Sequence, residues 1–539
     1  MFLRWFTFVF LLLPVFLAGE EASKLAQYGI TWEFEKPAKT GKYMTGDFWV
    51  LGPVTVKNIT PAQTPGRNGS VVNPPAGNKQ AYDDRFSSIE TSLRVNLPLE
   101  LKPGQSLVST ISVDKVGEEN KTPDTMPGQY CRGPIKTAAV LTCVAEVPPA
   151  DAFRPAYVGE HKLYFTAGNI HREFLPKLKP AGKEPDPVIY ERYLQKIWLD
   201  HWPDFRSREM HPWENMPDYG REITNITSTV SLLLTLDDPE GKYEKLLLKF
   251  VQLGIDYYGV AQSNNKLWFA NGGHDSGRKI PIIFAGVVLD HDGMKNIKAV
   301  FAEDEQTYYG EGYRGQKVLW KIDPTETRKH EHLPPEKWKG PPFKGDNDGW
   351  KSEGYRSLNG PTWVAQALAA RLLGAKGYWN HNEFFDYVDR WVLEAQNGMV
   401  DKKTMKPIGY KVFPSDFVKA MYLMLQQPEA SDYVIATGET HSVKYFIDLA
   451  FGLVGRDPKD YIKIDPKYFR PTEIDVLIGD STKARKVLNW KPKTSFKDLV
   501  KMMVEADLKL EGLDPARFMK SSDRISEETV NWNYSKLTE

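Results

Sequence analysis

The amino-acid sequence predicts a multidomain protein with a β-sandwich-like N-terminal module, an α-helical, α/α toroid-like middle module and an α/β C-terminal segment. Three observations carry this expectation. The chain has 539 residues, beyond one ordinary domain and enough for about two to four. Apolar residues alternate with polar ones up to about residue 150, recur at helical intervals beyond 188, and mix both patterns from 408 onward. Clusters of Pro, Gly and Asn punctuate the boundaries.

In chain order, residues 1–22 read as a secretory leader. Arg4 supplies the positive end, Trp5 to Leu17 the apolar run, and Ala18, Gly19 and Ala22 the small residues suited to cleavage. The run is shorter than the roughly 20 residues a bilayer span requires, so the expected location is secreted or periplasmic, with no membrane attachment after cleavage. A β-rich module follows over 24–175. Leu93, Val95, Leu97, Leu99 and Leu101 alternate with Arg94, Asn96, Pro98 and Glu100, which directs one face of an extended segment into a core. Phe48 to Val56, Leu107 to Val113 and Ala138 to Val147 are strand-like too, and turn-rich stretches at 61–79 and 120–135 separate them. Several short strands without a helical period suggest a sandwich.

A Pro- and Lys-rich linker at 176–188 leads to a helical module over 188–400, where 243–259, 279–290, 361–374 and 381–396 carry helical spacing. These read as helical hairpins. The segment 408–511 returns to α/β texture, with 512–539 as a tail. Within it Phe417, Ala420, Met421, Met424 and Leu425 share a helix face, and Tyr433 to Ala436 form a short strand. Ser442 caps a helix that Gly455 follows, and Ser495 with Asp498 opens another.

Composition narrows the partners. Lys plus Arg equals Asp plus Glu at 70 each, so no charge excess calls for nucleic acid. Cys131 and Cys143 are the two cysteines of the chain, and export would permit a bond between them. Sequons at Asn58, Asn68, Asn120, Asn225 and Asn533 matter only in a host that glycosylates exported proteins.

The C-terminal segment holds one notable polar cluster, Tyr468-Phe-Arg-Pro-Thr-Glu-Ile-Asp475. Arg470 has the fork that suits a phosphate, and Glu473 can accept two hydrogen bonds from a ribose diol; a surface Arg–Glu pair is the alternative. Five ordered blocks run through this part of the chain: Asp416 to Gln426, Tyr433 to Val443, Tyr468 to Asp475, Gly479 to Ala484, and Leu488 to Pro492. Together they resemble GDP-mannose 4,6-dehydratase, an extended short-chain dehydrogenase. The resemblance implies that Arg470 and Glu473 contact the GDP part of a sugar nucleotide. It also implies NADP for the complete enzyme, which takes hydride from C4 of the hexose, loses water across C5–C6 and returns the hydride at C6. Such chemistry needs a dinucleotide loop and a Tyr-x-x-x-Lys base, which in the family precede the matched blocks. Gly310-Glu-Gly312-Tyr-Arg-Gly315 matches the loop pattern, and Tyr313 with Lys317 matches the base. Both matches follow a polar stretch instead of a buried strand, so no intact cofactor site is expected here. GDP-sugars and NADP are cytosolic, in conflict with a leader, and a gene fusion or a mis-joined reading frame accounts for the combination.

Residues 24–400 resemble, in architecture alone, secreted polysaccharide lyases and glycosidases built on an α/α toroid. Ten of fifteen tryptophans lie between Trp198 and Trp391, as core or as sugar-stacking faces. Two clusters carry candidate chemistry. In Asn271-Gly-Gly-His-Asp-Ser-Gly-Arg278, His274 or the preceding Tyr258 would act as the base of a lyase and Arg278 as the cation on a uronate carboxylate; alternatively His274 and Asp275 order the turn. In His211-Pro-Trp-Glu-Asn-Met-Pro-Asp218, Glu214 and Asp218 are either the paired carboxylates of a hydrolase or solvated loop charges. His330-Glu-His332 has alternate spacing but lacks further ligands, so no metal is expected. The chemistry points to a polysaccharide or a sugar nucleotide as partner. A dehydratase relative and a non-catalytic secreted sugar-binding protein remain as other classes.

Overall fold

The computed structural model describes residues 19–86, 89–117, 133–180, 184–203, 205–313, 315–322, 330–332, 352–395, 399–400, 407–408, 420, 423–424, 427, 431–463, 478–510 and 513–519. The chain divides into two compact units, Met1–Val388 and Asp389–Glu539. The β-rich stretch and most of the helical stretch thus share the first unit, and the boundary falls within the helix Asn382–Ala395.

The first unit opens with a mixed sheet of β1 (Glu20–Gln27), β2 (Ile30–Lys42), β3 (Phe48–Leu51), β4 (Val54–Thr60), β5 (Ser70–Val72), β6 (Leu99–Leu101), β7 (Ser106–Ser112) and β8 (Ile135–Val144). The strand order is β5-β7-β8-β3-β2-β4-β6, with β1 on β2. β3 and β8 are parallel and every other pair is antiparallel. Strand β2 bends the sheet: Thr31–Phe34 pair with β4, whereas Thr40–Lys42 pair with β3. Pro37, which has no N–H to donate, lies between the two pairings. The sheet therefore curls over one core, where Ile30, Trp32 and Phe34 of β2 meet Val56, Leu107, Leu141 and Cys143. Buried Cys143 is a free thiol; Cys131 lies outside the described residues.

Sequence and structure differ between Leu93 and Leu101. Only Leu99–Leu101 pair as a strand, and Thr91–Leu93 form a 3₁₀ turn. Pro98 interrupts the ladder, yet Val95, Leu97 and Leu99 still pack against the core. The alternation reported burial correctly and overstated the hydrogen bonding. Glu20 to Ala22 pair with Ala38 to Thr40, so the sheet includes residues that the leader reading placed before its cleavage point.

The helical part comprises α1 (Pro187–Tyr193), α2 (Gly220–Leu233), α3 (Glu244–Ser263), α4 (Lys279–Val288), α5 (Asp292–Lys295), α6 (Ala302–Glu305), α7 (Ser352–Leu372) and α8 (Asn382–Ala395), with the hairpin β9 (Thr307–Tyr309) and β10 (Val318–Trp320) between α6 and α7. α2 packs on α7 and α3 on α4. All ten residues of α4 are buried, as a helix that is apolar all round requires; its Ile280, Ile282, Ile283 and Phe284 each contribute about 1.5–3 kcal/mol of burial. Trp202, Trp213, Trp268, Trp320, Trp363 and Trp379 are wholly enclosed, so these indoles serve the core. Among the described residues no helix is long and apolar enough to cross a membrane.

The second unit contains the short pair β11 (Met399–Val400) and β12 (Pro407–Ile408), then α9 (Val443–Val454), α10 (Thr482–Val487), α11 (Phe496–Leu510) and α12 (Pro515–Phe518). Ser442 Oγ accepts the Tyr445 N–H at 3.1 Å, and Gly455 ends α9 at φ 64°. Ser495 Oγ accepts the Asp498 N–H at 3.2 Å at the start of α11. Leu449, Leu453 and Val500 join α9 to α11, while Ala420, Ala484, Leu488 and Trp490 form a second small core against Tyr433 and Ile435. Tyr433 to Ala436, expected as a strand, makes no ladder with any described strand.

Candidate functional site

The two polar clusters of the first unit meet at a residue that lies in neither. Asp200 is wholly buried, in a run of Trp, Leu and His that would otherwise be core. Its Oδ2 accepts Arg278 Nε at 2.8 Å and the Tyr257 hydroxyl at 3.0 Å. Its Oδ1 lies 3.4 Å from both Arg278 Nη2 and His211 Nε2. Burial opposes ionisation of this carboxyl, but the Arg278 charge and then the approach of the His211 ring nitrogen override it and hold Asp200 below the usual carboxylate range. Arg278 from the glycine turn and His211 from the earlier loop thus share one carboxylate.

The turn itself is built by close approach. Gly272 and Gly277 adopt φ of 61° and 93°, which favour glycine. Asn359 Nδ2 and Gln306 Nε2 both donate to the Gly272 carbonyl, at 2.8 and 2.7 Å. Thr224 and Ser276 hydroxyls lie 2.8 Å apart, and Thr227 donates to the Gly277 carbonyl at 3.1 Å. His274 emerges half-buried, edge-on to Tyr219 with ring centroids 4.6 Å apart. The Tyr355 ring sits where a side chain on Gly272 would project, and burial, then Tyr219, raises the Tyr355 hydroxyl above the ordinary phenol value. The His274 imidazole against the Tyr219 phenol brings together two groups able to serve acid–base chemistry.

Of the other sequence candidates, Arg278 shares the turn but points inward, where it is not free to hold a uronate carboxylate, and the rest lie elsewhere. Arg278 is wholly buried, its guanidinium engaged by Asp200 and by the carbonyls of His274 and Ser276. Tyr258 packs edge-on to His291 at 5.5 Å. Glu214 is ion-paired with Lys196 and lies 3.8 Å from Lys136; Asp218 is buried. His332 faces the Tyr308 hydroxyl at 3.3 Å, and among the described residues no cluster of three metal-ligating side chains exists. Gly310, Gly312 and Gly315 lie in the connection between antiparallel β9 and β10, whereas a phosphate-binding glycine loop joins a strand to a helix. Asp200, Tyr219 and Asn359 were missed as functional candidates. For Asp200 a signal existed: a carboxylate within Trp198-Leu-Asp-His-Trp202 must be buried with a partner.

In the second unit, four of the five ordered blocks assemble, with Ala420 of the first packed among Ala484, Leu488 and Trp490. A side chain on Gly479 would meet Ala436 Cβ at 2.6 Å, so the two segments run in direct contact. Arg485 Nη2 donates to the Thr437 carbonyl at 2.9 Å, Trp490 is buried against Ala484 and Leu488, and His441 stacks on Phe496 with centroids 4.0 Å apart. Arg470 and Glu473 lie outside the described residues. Residues 412–503 match the family model of GDP-mannose 4,6 dehydratase. Over 98 residues the segment is 57% identical to GDP-mannose 4,6 dehydratase 1 of Arabidopsis thaliana, covering 18% of this chain and 27% of that one. Over 110 residues it is 47% identical to the Dictyostelium discoideum GDP-mannose 4,6 dehydratase (17% and 31%), and over 117 residues 44% identical to the human one (19% and 32%). The chain thus spans less than a third of the length of these dehydratases. The dehydratase-like segment falls entirely within the second unit.

Proposed function

We propose that the chain is a bimodular carbohydrate protein. Its tail recognises a GDP-sugar without turning it over, and its first unit, exported by the leader, acts on a carbohydrate polymer. The observation that carries the reading of the tail is the 57% identity confined to 98 residues. Identity at that level supports retention of the GDP contacts through Arg470 and Glu473. Its confinement, together with the hairpin setting of the Gly310 loop, supports the absence of an NADP cradle and hence of dehydration. The test is direct: the purified chain binds GDP by calorimetry, Arg470→Ala abolishes that binding, and GDP-mannose with NADP yields no 4-keto-6-deoxy sugar. Formation of that product would overturn the proposal.

For the first unit, the contact of His274 with Tyr219 favours proton abstraction next to a uronate carboxylate. A toroid of helical hairpins would present the turn to a polymer. Cleavage then creates a conjugated double bond that absorbs in the near ultraviolet, and His274→Ala removes the signal. Reducing ends without ultraviolet absorbance would favour hydrolysis through Glu214 and Asp218 instead.

A further inference from the structure

We propose that Asp200 is the positioning residue of the glycine-turn site and fixes the His274 imidazole through the Arg278 guanidinium. The inference rests on the reading of that turn as the carbohydrate site. Asp200 lies 78 residues before Arg278 in the sequence, and the Arg278 side chain joins it to His274 of its own turn. Arg278 Nε donates to Asp200 Oδ2 at 2.8 Å, while Nη1 donates to the carbonyl oxygens of His274 at 2.9 Å and Ser276 at 3.0 Å. A planar fork grips a carboxylate on one edge and two carbonyls on the other, which a lysine ammonium cannot reproduce. The backbone of His274 is thereby tied to Asp200, and the Tyr257 hydroxyl ties Asp200 in turn to α3 at 3.0 Å. The other side-chain anchors described for the turn hold Gly272, Ser276 and Gly277. The Arg278 hold acts on residue 274 itself.

The charged and titratable groups around Asp200 include Arg278, His211, Tyr257 and Tyr157, whose hydroxyl accepts the Asp200 N–H at 3.1 Å, with His201 adjacent in sequence and Asp275 beside Arg278. Loss of the Asp200 charge would free Arg278 to rotate and release the His274 carbonyl. A buried ion pair that merely stabilised the fold would have no such directional effect. The same unit supplies that control: Arg154, wholly buried, bonds Asp47 at 2.8 Å and Asp256 at 2.9 and 2.5 Å, and none of these bonds involves the glycine turn.

The experiment follows the His274 ring-proton resonance of the full chain through a pH titration, assigned by its loss in His274→Gln, alongside steady-state kinetics on whichever polymer the parent cleaves. Asp200→Asn should displace the resonance, move its midpoint by about half a pH unit or more, and lower kcat about a hundredfold with little change in KM. Asp256→Asn should lower the melting temperature and leave the resonance and kcat in place. If Asp200→Asn does not fold, Tyr257→Phe, which deletes a single hydroxyl, should displace the resonance in the same direction to a smaller extent. An unmoved His274 resonance in the folded variant, or an equal displacement in Asp256→Asn, overturns the proposal. A parent inactive on every polymer sinks the carbohydrate reading alone, because the resonance still decides whether Asp200 positions His274.

Discussion

Glu303 is wholly buried in α6, with Oε1 accepting Gln366 Nε2 at 2.7 Å. Burial, reinforced by Asp304, raises its carboxyl from 4.5 to about 7, against smaller opposing contributions from Gln366 and Lys279. The folded chain therefore keeps a proton that the unfolded chain releases. Stability from this group is complete below 4.5 and is lost as the pH rises toward 7. Urea unfolding should show the parent losing on the order of 3 kcal/mol across that window, and Glu303→Gln should flatten the slope. His201 acts at the other limb. Burial lowers its imidazole from 6.5 to about 3, so the folded state holds it neutral, and its contribution is present above 6.5 and lost as the pH falls toward 3. His201→Asn should preserve stability at pH 4 relative to pH 7 better than the parent does; an unchanged acid limb would count against this assignment. At this scale the sequence exposed the glycine turn with His274 and Arg278, because glycine spacing is local. It hid Asp200, whose bond to Arg278 spans 78 residues, and it left the direction of the Arg278 side chain open.

Helices with strong local signals were legible from sequence nearly to the residue. α9 and α11 begin at Ser442 and Ser495 because a serine oxygen there satisfies an otherwise orphaned N–H. α3, α4 and α8 follow from apolar spacing. α2 did not, since Thr224, Thr227, Ser228 and Ser231 lie on its buried side and defeat any hydrophobic count; the hydroxyls of Thr224, Thr227 and Ser231 bond back to the helix or across to the turn. This polar packing makes the junction of α2 with the glycine turn sensitive to volume. A methyl on Gly220, the first residue of α2, would fall well inside contact distance of the His274 carbonyl oxygen. Gly220→Ala should therefore cost about 1–3 kcal/mol and displace His274, read by urea unfolding and by any polymer cleavage. Gly377 has no heavy atom within 4 Å of an added methyl, and Gly377→Ala should be neutral or up to about 1 kcal/mol stabilising. Equal effects at the two positions would show that the close approach at Gly220 is not a constraint.

At the scale of the whole molecule, the chain divides at Val388 and Asp389, and the dehydratase-like match begins at residue 412. Each unit holds its own core: the curled sheet and buried helices in one, and the clusters around Trp490 and around Leu449 with Val500 in the other. Separate cores predict separate cooperative transitions. The tail cores are small, and Val434 and Ile478 remain 53% and 54% exposed, so the tail transition should come at the lower temperature. A ligand bound by one unit stabilises that unit alone, by about 2.7 kcal/mol when its concentration is a hundred times Kd. Calorimetry of the full chain should therefore resolve two endotherms, with GDP raising the first and leaving the second in place, and Arg470→Ala abolishing the rise. One endotherm would mean that the units unfold together in spite of separate cores. Two endotherms, neither moved by GDP, would leave the tail folded but without the nucleotide recognition that its identity to the dehydratases supports.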